Sequence, residues 1–162
     1  MTHERLIKDL WMKFHPISEG AHHHQIRVYY EDTDAGGVVY HATYLRLAER
    51  ARTETLRDLG VPHAEMVSQH GVMFMVRRIK VDYLEPARLD DSLMVSTRPL
   101  VVGAASVELR QDITRADAPG RVLASLDIRL ACVRLADQRA VRIPTRWRNA
   151  LQGMAGDRDS AP

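Results

Sequence analysis

Only one cysteine, Cys132, stands among the 162 residues, which excludes an internal disulfide and any cysteine-rich metal site. It lies in an apolar run and reads as a buried structural thiol rather than a nucleophile. Long apolar stretches are also missing. No segment reaches the roughly 20 residues of a membrane-spanning helix, and the first residues lack the basic and apolar regions of a signal peptide. Stable membrane insertion is therefore not expected, and the cytoplasm is the expected compartment. An excess of either charge is absent too: 23 Lys and Arg against 21 Asp and Glu leave a net +2. That argues against a dedicated nucleic-acid binder, while the mildly basic balance is compatible with a small polyanion. No glycine-rich loop leads into Lys-Ser or Lys-Thr, and Asp34-Ala-Gly-Gly37 lacks the later features of a dinucleotide site. Ser96, Ser106 and Ser125 sit in strand patterns, not in a nucleophile elbow. His63 and His70 have no carboxylate partner at helical spacing, so no metal and no other cofactor is expected.

What is present is the composition of an ordinary globular domain, 45% hydrophobic and 27% charged, in a chain of single-domain length. Its centre of interest is Arg27 to His41. Ile26, Val28 and Tyr30 alternate with Gln25, Arg27 and Tyr29, the period of a half-buried strand. The strand leads into an acidic turn, with Glu31, Asp32 and Asp34 ahead of Gly36 and Gly37. The glycines allow a sharp bend and close approach to a ligand, and the helix pattern that follows offers unpaired N–H groups at its start. On local sequence alone Asp34 reads equally well as a helix-start cap or as a reactive carboxylate. Asp32 reads as a turn or capping residue.

Residues 1–24 read as an N-terminal extension, residues 25–152 as the folded domain and residues 153–162 as a flexible C-terminal tail. In the extension Leu6, Ile7, Leu10, Trp11 and Phe14 recur at helical spacing. Packing on the protein's own surface ranks ahead of a partner subunit or shallow membrane docking. His22, His23 and His24 read as a solvent-exposed linker. The principal helix is expected over Tyr44 to Leu59, with small Ala48 and Ala51 allowing close approach to a sheet, and Gly60 and Pro62 ending it. A shorter helix is expected over His63 to Gln69, closed by Gly71. Extended runs follow at Val72–Leu84, Ser92–Leu100, Ala105–Thr114 and Val122–Leu135, with a turn at Gly103 and a hairpin loop at Asp117-Ala-Pro-Gly120. A short strand at Val141–Ile143 and a terminal helix started by Pro144 complete the pattern. The sum is an α+β fold, one long helix wrapped by an antiparallel sheet of five or six strands.

The run Arg27-Val-Tyr-Tyr-Glu-Asp-Thr-Asp-Ala-Gly-Gly-Val-Val-Tyr-His-Ala42 resembles the signature of the Tol-Pal-associated, YbgC-type acyl-CoA thioesterases, a branch of the 4-hydroxybenzoyl-CoA thioesterase-like hotdog family. Glu49-Arg-Ala-Arg-Thr-Glu54 and Pro86-Ala-Arg-Leu-Asp-Asp91 extend the resemblance, which runs from about Gln25 to Trp147. It implies a hotdog fold and hydrolysis of a short-chain or aromatic acyl-CoA. Asp34 then matches the family's catalytic carboxylate, as nucleophile or general base. His41 matches the position whose main-chain N–H stabilises the oxyanion, and its imidazole either orients the thioester or only fills space. Gly37 and Tyr44 are implied in substrate binding, and Arg77, Arg78 and Arg88 as ligands for coenzyme A phosphates, against solvated surface as the plainer role. Glu49 and Glu54 are runner-up bases, with ion pairing on the helix surface the favoured reading. The resemblance further implies a homodimer or homotetramer with the site between copies, and acyl carrier protein as a further partner. A non-catalytic hotdog adaptor for acyl groups or acyl carrier protein is the alternative, and a dehydratase on the same fold ranks third.

Overall fold

The computed structural model describes residues 16–156 and, ahead of them, His3, Glu4, Leu6, Ile7 and Leu10. Strands β1 (Ile17–Ser18) and β2 (Ala21–Arg27) open the described chain, followed by one 3-10 turn at Tyr30–Asp32. Helix α1 (Thr43–Asp58) and helix α2 (His63–His70) come next. Four long strands follow, β3 (Val72–Tyr83), β4 (Ser92–Val102), β5 (Ser106–Arg115) and β6 (Ala118–Arg134), and helix α3 (Thr145–Gly156) ends the fold. All six strands form one sheet in the order β1-β2-β4-β5-β6-β3, with every neighbouring pair antiparallel.

Helix α1 lies on the sheet because one face is apolar and small. Tyr44, Leu47, Ala48, Ala51, Thr55 and Leu56 recur at three- and four-residue spacing and are all buried. Ala48 and Ala51 are fully inaccessible, so the backbone approaches β2 and β4 closely, as their size suggests. On β5, Val107, Leu109, Gln111 and Ile113 face the helix, and on β6 Ala124, Leu126, Ile128 and Leu130 do so. Gln111 supplies the polar member of that layer. Its Nε2 donates to the Ala48 carbonyl (3.0 Å) and to Thr97 Oγ1 (2.9 Å), and its Oε1 accepts from Arg52 Nη1 (2.9 Å). Helix α3 follows directly on Pro144, whose carbonyl accepts from Trp147 N–H and Arg148 N–H at 3.0 Å, and it closes one end of the core with Trp147, Leu151 and Met154.

Several boundaries differ from those expected. The first strand does not run through Tyr30; it ends at Arg27, and Tyr30 lies in the 3-10 turn, exposed. His22, His23 and His24 are not a linker but the body of β2, paired with Val95, Ser96 and Thr97 of β4. His22 is fully buried because its Nε2 meets Asp58 Oδ2 at 2.7 Å, which gives a polar ring an inward partner at the end of α1. Both β3 and β5 break their alternation. In β3, where a strict period of two puts Met75, Ile79, Val81 and Tyr83 on one face, the register shifts between Val76 and Arg78, so Met75 lies on the other face from Ile79 and Val81. The β5–β6 turn is tighter than the expected loop, since Ala118 to Gly120 already belong to β6. Val141–Ile143 forms no strand, although Ala140 makes an isolated bridge to Val133. Gly153 to Gly156, expected in the tail, continue α3 with Met154 buried. The rest of that tail lies outside the described residues, as do Trp11 and Phe14. Of the N-terminal apolar set, Leu6, Ile7 and Leu10 are helical, and all three are more than half exposed.

Candidate active site

The acidic turn is built by backbone pairing on both sides. Asp32 begins it: its buried carboxylate Oδ2 accepts from the Tyr29 N–H at 2.9 Å, and its carbonyl accepts from Tyr40 N–H at 2.9 Å. The capping role expected of Asp32 is thus its role in the fold. Thr33 then bridges Val39, and Asp34 N–H donates to the Val38 carbonyl at 2.9 Å, which folds residues 32–40 into a miniature antiparallel ribbon. On its other side Val38 bridges Arg88, and Val39 N–H donates to the Ala87 carbonyl at 2.8 Å. The Pro86–Asp91 stretch is in this way fastened to the turn. Asp91 holds the stretch in place, its side chain accepting from Arg88 N–H (2.8 Å) and pairing with Arg115 (3.1 Å).

At the tip stands Asp34, exposed to solvent. Its Oδ1 accepts from Gly36 N–H at 2.8 Å and from Val38 N–H at 3.4 Å. The second oxygen, Oδ2, has no hydrogen-bond partner among the described residues. One oxygen is therefore fixed by the turn's own amides while the other is available for chemistry. Glycine is required here twice. A Cβ on Gly36 would sit 3.2 Å from Asp34 Oδ1, and Gly37 adopts φ +76°, a left-handed conformation.

The ribbon delivers the chain to the mouth of α1. Thr43 N–H closes a turn on the Tyr40 carbonyl at 2.8 Å. The main-chain N–H groups of His41 and Ala42 find no acceptor among the described residues. They sit at the positive end of a 16-residue helix, where unpaired amides attract developing negative charge. The His41 side chain is exposed and its ring lies 4.4 Å from that of Tyr40. Tyr44, the second residue of α1, is buried and accepts from Ala87 N–H at 3.0 Å through its hydroxyl. Burial raises its phenol above the usual range, and the Ala87 bond opposes that in part. Tyr44 thus ties the helix start to the same loop that holds the turn.

Asp34, Gly37, His41, Tyr44 and Arg88 come together at this one corner. Arg77 and Arg78 do not join them within one chain. They lie at the irregularity of β3, and Arg78 is five residues before Tyr83, about 16 Å along an extended strand. A groove of about 460 Å³ beside Arg78 is lined also by Lys80, Glu108, Asp127 and Arg129. Glu49 and Glu54 stand roughly 9 and 16 Å along the helix axis from Thr43. Glu54 forms the ion pair expected of it, with Arg57, whereas Glu49 accepts a hydrogen bond from Thr53 at 2.9 Å and makes no ion pair among the described residues. The strand period puts Tyr83 on a face of β3 but marks no functional role for it, yet its O–H donates to the His41 carbonyl at 2.8 Å. Only its place at the end of a long strand pattern hinted at this. Among the described residues no three His, Cys, Asp or Glu side chains converge to hold a metal ion, and no helix is long and apolar enough to cross a membrane.

The chain and its fold have known counterparts. The chain is 42% identical to the acyl-CoA thioesterase YbgC of Haemophilus influenzae over 119 residues, covering 74% of this chain and 85% of the relative. It is 43% identical to the acyl-CoA thioester hydrolase YbgC of Escherichia coli O6:H1 over 108 residues, 67% of this chain and 78% of that protein. The crystal structure of a probable thioesterase from Bartonella henselae superposes with a TM-score of 0.71 at 32% identity, covering 76% of this chain and 99% of that one. A family model described as the thioesterase-like superfamily matches residues 28–151, from just past β2 to the middle of the last helix. With its long helix wrapped by an antiparallel sheet, this chain is a hotdog protein of the thioesterase-like superfamily, related to the YbgC acyl-CoA thioesterases.

Proposed function

We propose that this protein hydrolyses acyl-CoA thioesters to the free acid and coenzyme A, with Asp34 as the reacting carboxylate and the amide at His41 as oxyanion donor. The observation that carries this reading is the short ribbon that joins a half-held, exposed carboxylate at Asp34 to the unpaired amides at the start of α1. The thioesterase relatives supply the reaction class.

A thioester carbonyl placed between the two elements would have its oxygen against the His41 N–H and its carbon facing Asp34 Oδ2. Attack by the carboxylate forms an acyl-aspartyl anhydride and expels the thiolate, and water then cleaves the anhydride to restore Asp34. Attack by water instead passes its proton to Asp34, and the thiolate leaves with that proton. Thiolate is a good leaving group, so neither route needs a strong general acid. An amide aimed at the oxyanion contributes about 3 kcal/mol to the barrier reduction because it is oriented before the reaction begins. Gly37 leaves the approach to the turn open, Tyr44 shapes the wall beside it, and Arg88 is the cation at this corner for coenzyme A phosphates.

Arg77 and Arg78 serve the same phosphates from a second copy joined along β3, in a homodimer or doubled dimer acting in the cytoplasm. Short-chain or aromatic acyl groups are the expected substrates.

Thiol release from a panel of acyl-CoA esters tests the reading. Asp34→Asn is expected to lower kcat by two orders of magnitude or more (~10²) without a change in melting temperature. Undiminished turnover would remove Asp34 from the mechanism. Absence of turnover by the wild-type chain across the panel would favour an acyl-binding adaptor. Label in Asp34 after a single turnover in ¹⁸O-water is the mark of the anhydride route with water attacking the Asp34 carbonyl, since water activated by a general base labels only the released acid.

A further inference from the structure

We infer that Tyr83 is a positioning residue that aims a second oxyanion donor, the Ala42 N–H, by holding the His41 carbonyl. A peptide unit is planar and trans, so its C=O and N–H point in opposite directions, and fixing one fixes the other. Two such units form the mouth of α1. The Tyr40–His41 unit is held by Thr43 N–H on the Tyr40 carbonyl at 2.8 Å, which turns His41 N–H away from the helix. The His41–Ala42 unit carries no such helical bond at its carbonyl. Its oxygen instead accepts the Tyr83 hydroxyl at 2.8 Å, from the end of β3. With the two carbonyls pinned, the two amides His41 N–H and Ala42 N–H are presented as a pair, and neither has an acceptor among the described residues.

Tyr83 is itself braced. Its ring meets the Tyr44 ring edge-on, 5.4 Å between centroids at 74°, and Tyr44 is fixed by Ala87 N–H at 3.0 Å. The brace therefore runs from the edge strand through Tyr83 to the donors, and from the Pro86–Asp91 loop through Tyr44 to the same helix turn. Donating to the His41 carbonyl also polarises that peptide and makes Ala42 N–H a stronger donor.

The inference rests on the thioester-hydrolase reading, and the experiment separates the two. Tyr83→Phe deletes the hydroxyl and keeps the ring contact with Tyr44. Its kcat should fall about tenfold with KM unchanged, less than the 10²–10³ that follows outright loss of a donor. Two inert coenzyme A analogues supply the readout that a purely structural role would not move. A trifluoromethyl ketone analogue, which forms an anionic adduct at the site, should bind about tenfold more weakly to Tyr83→Phe. A thioether analogue, which carries no oxyanion, should bind equally to both proteins. Unchanged kcat in Tyr83→Phe, or equal weakening of both analogues, overturns the role given to Tyr83 while leaving hydrolysis intact. Failure of the wild type to hydrolyse any acyl-CoA defeats the thioesterase reading itself.

Discussion

At Gly36 a single added carbon decides whether Asp34 keeps its geometry. The Cβ of an alanine would stand 3.2 Å from Asp34 Oδ1, the oxygen that Gly36 N–H itself holds at 2.8 Å. Either the carboxylate or the turn must give way. Gly36→Ala is therefore expected to reduce kcat at least tenfold (~1.4 kcal/mol), with only a small change in urea midpoint because the site is exposed. A loss of stability as large as the loss of activity would show that the turn is structural first. Histidine 63 offers a second test at this scale. Burial lowers its pKa below the usual 6.5, with the charge of Glu49 opposing, and its Nε2 accepts from Phe74 N–H at 3.2 Å. The folded form thus resists protonation more than the unfolded chain does. Its stabilising effect is complete above the unfolded value and is lost as pH falls below it. Melting temperature should drop from pH 7 towards pH 5, and His63→Gln, which keeps an acceptor, should flatten part of that drop. His23 and His24 are shifted the same way by burial and account for part of the remainder. In the sequence, Asp34 and His41 are visible because their neighbours form a long contiguous motif. Tyr83 is not, because its partner is a carbonyl 42 residues away, and a main-chain acceptor leaves no mark in the sequence.

Among elements, the tie between α1 and the sheet runs through Gln111. It is fully buried and satisfies the Ala48 carbonyl, Thr97 and Arg52 at once. Replacement by leucine keeps the volume but strips Arg52 of its acceptor in surroundings whose burial already depresses its pKa. Gln111→Leu should cost about 2–3 kcal/mol in urea denaturation, and Arg52→Met in the same background should recover part of it, since the stranded cation is then gone. The extended runs expected at Ala105–Thr114 and Val122–Leu135 and the helix expected over Tyr44–Leu59 lie close to β5, β6 and α1, and Gly60 and Pro62 mark the helix end in the sequence. What failed to read were the places where polar side chains face inward or the count slips. The histidines of β2 resemble linker until Asp58 is seen to receive His22 at 2.7 Å. The irregularity at Arg77 in β3 shifts which residues share a face, and a period of two cannot announce its own interruption.

For the whole molecule the decisive feature is the edge at β3. At the other side of the sheet β1 is two residues long, too short to recruit a partner, whereas β3 presents twelve residues with no strand beyond it among those described. Such an edge is a template for a further strand. A second copy paired there about a two-fold axis would extend the sheet and cover Val76, which is 43% exposed at the middle of the strand. Such an axis would set the two candidate corners on either side of the seam, because Tyr83 ends β3 and also holds the His41 carbonyl. It would also bring Arg77 and Arg78 of one copy towards the corner of the other, which the roughly 16 Å separation within one chain does not allow. Val76→Glu places a charge at the centre of this seam, twice over by symmetry. It should convert a dimer or tetramer into monomers by sedimentation velocity and abolish thiol release, while circular dichroism retains the sheet signal. A wild type that sediments as an active monomer at micromolar concentration would show that Asp34 and the helix mouth complete the site within one chain, and the edge would then need another explanation.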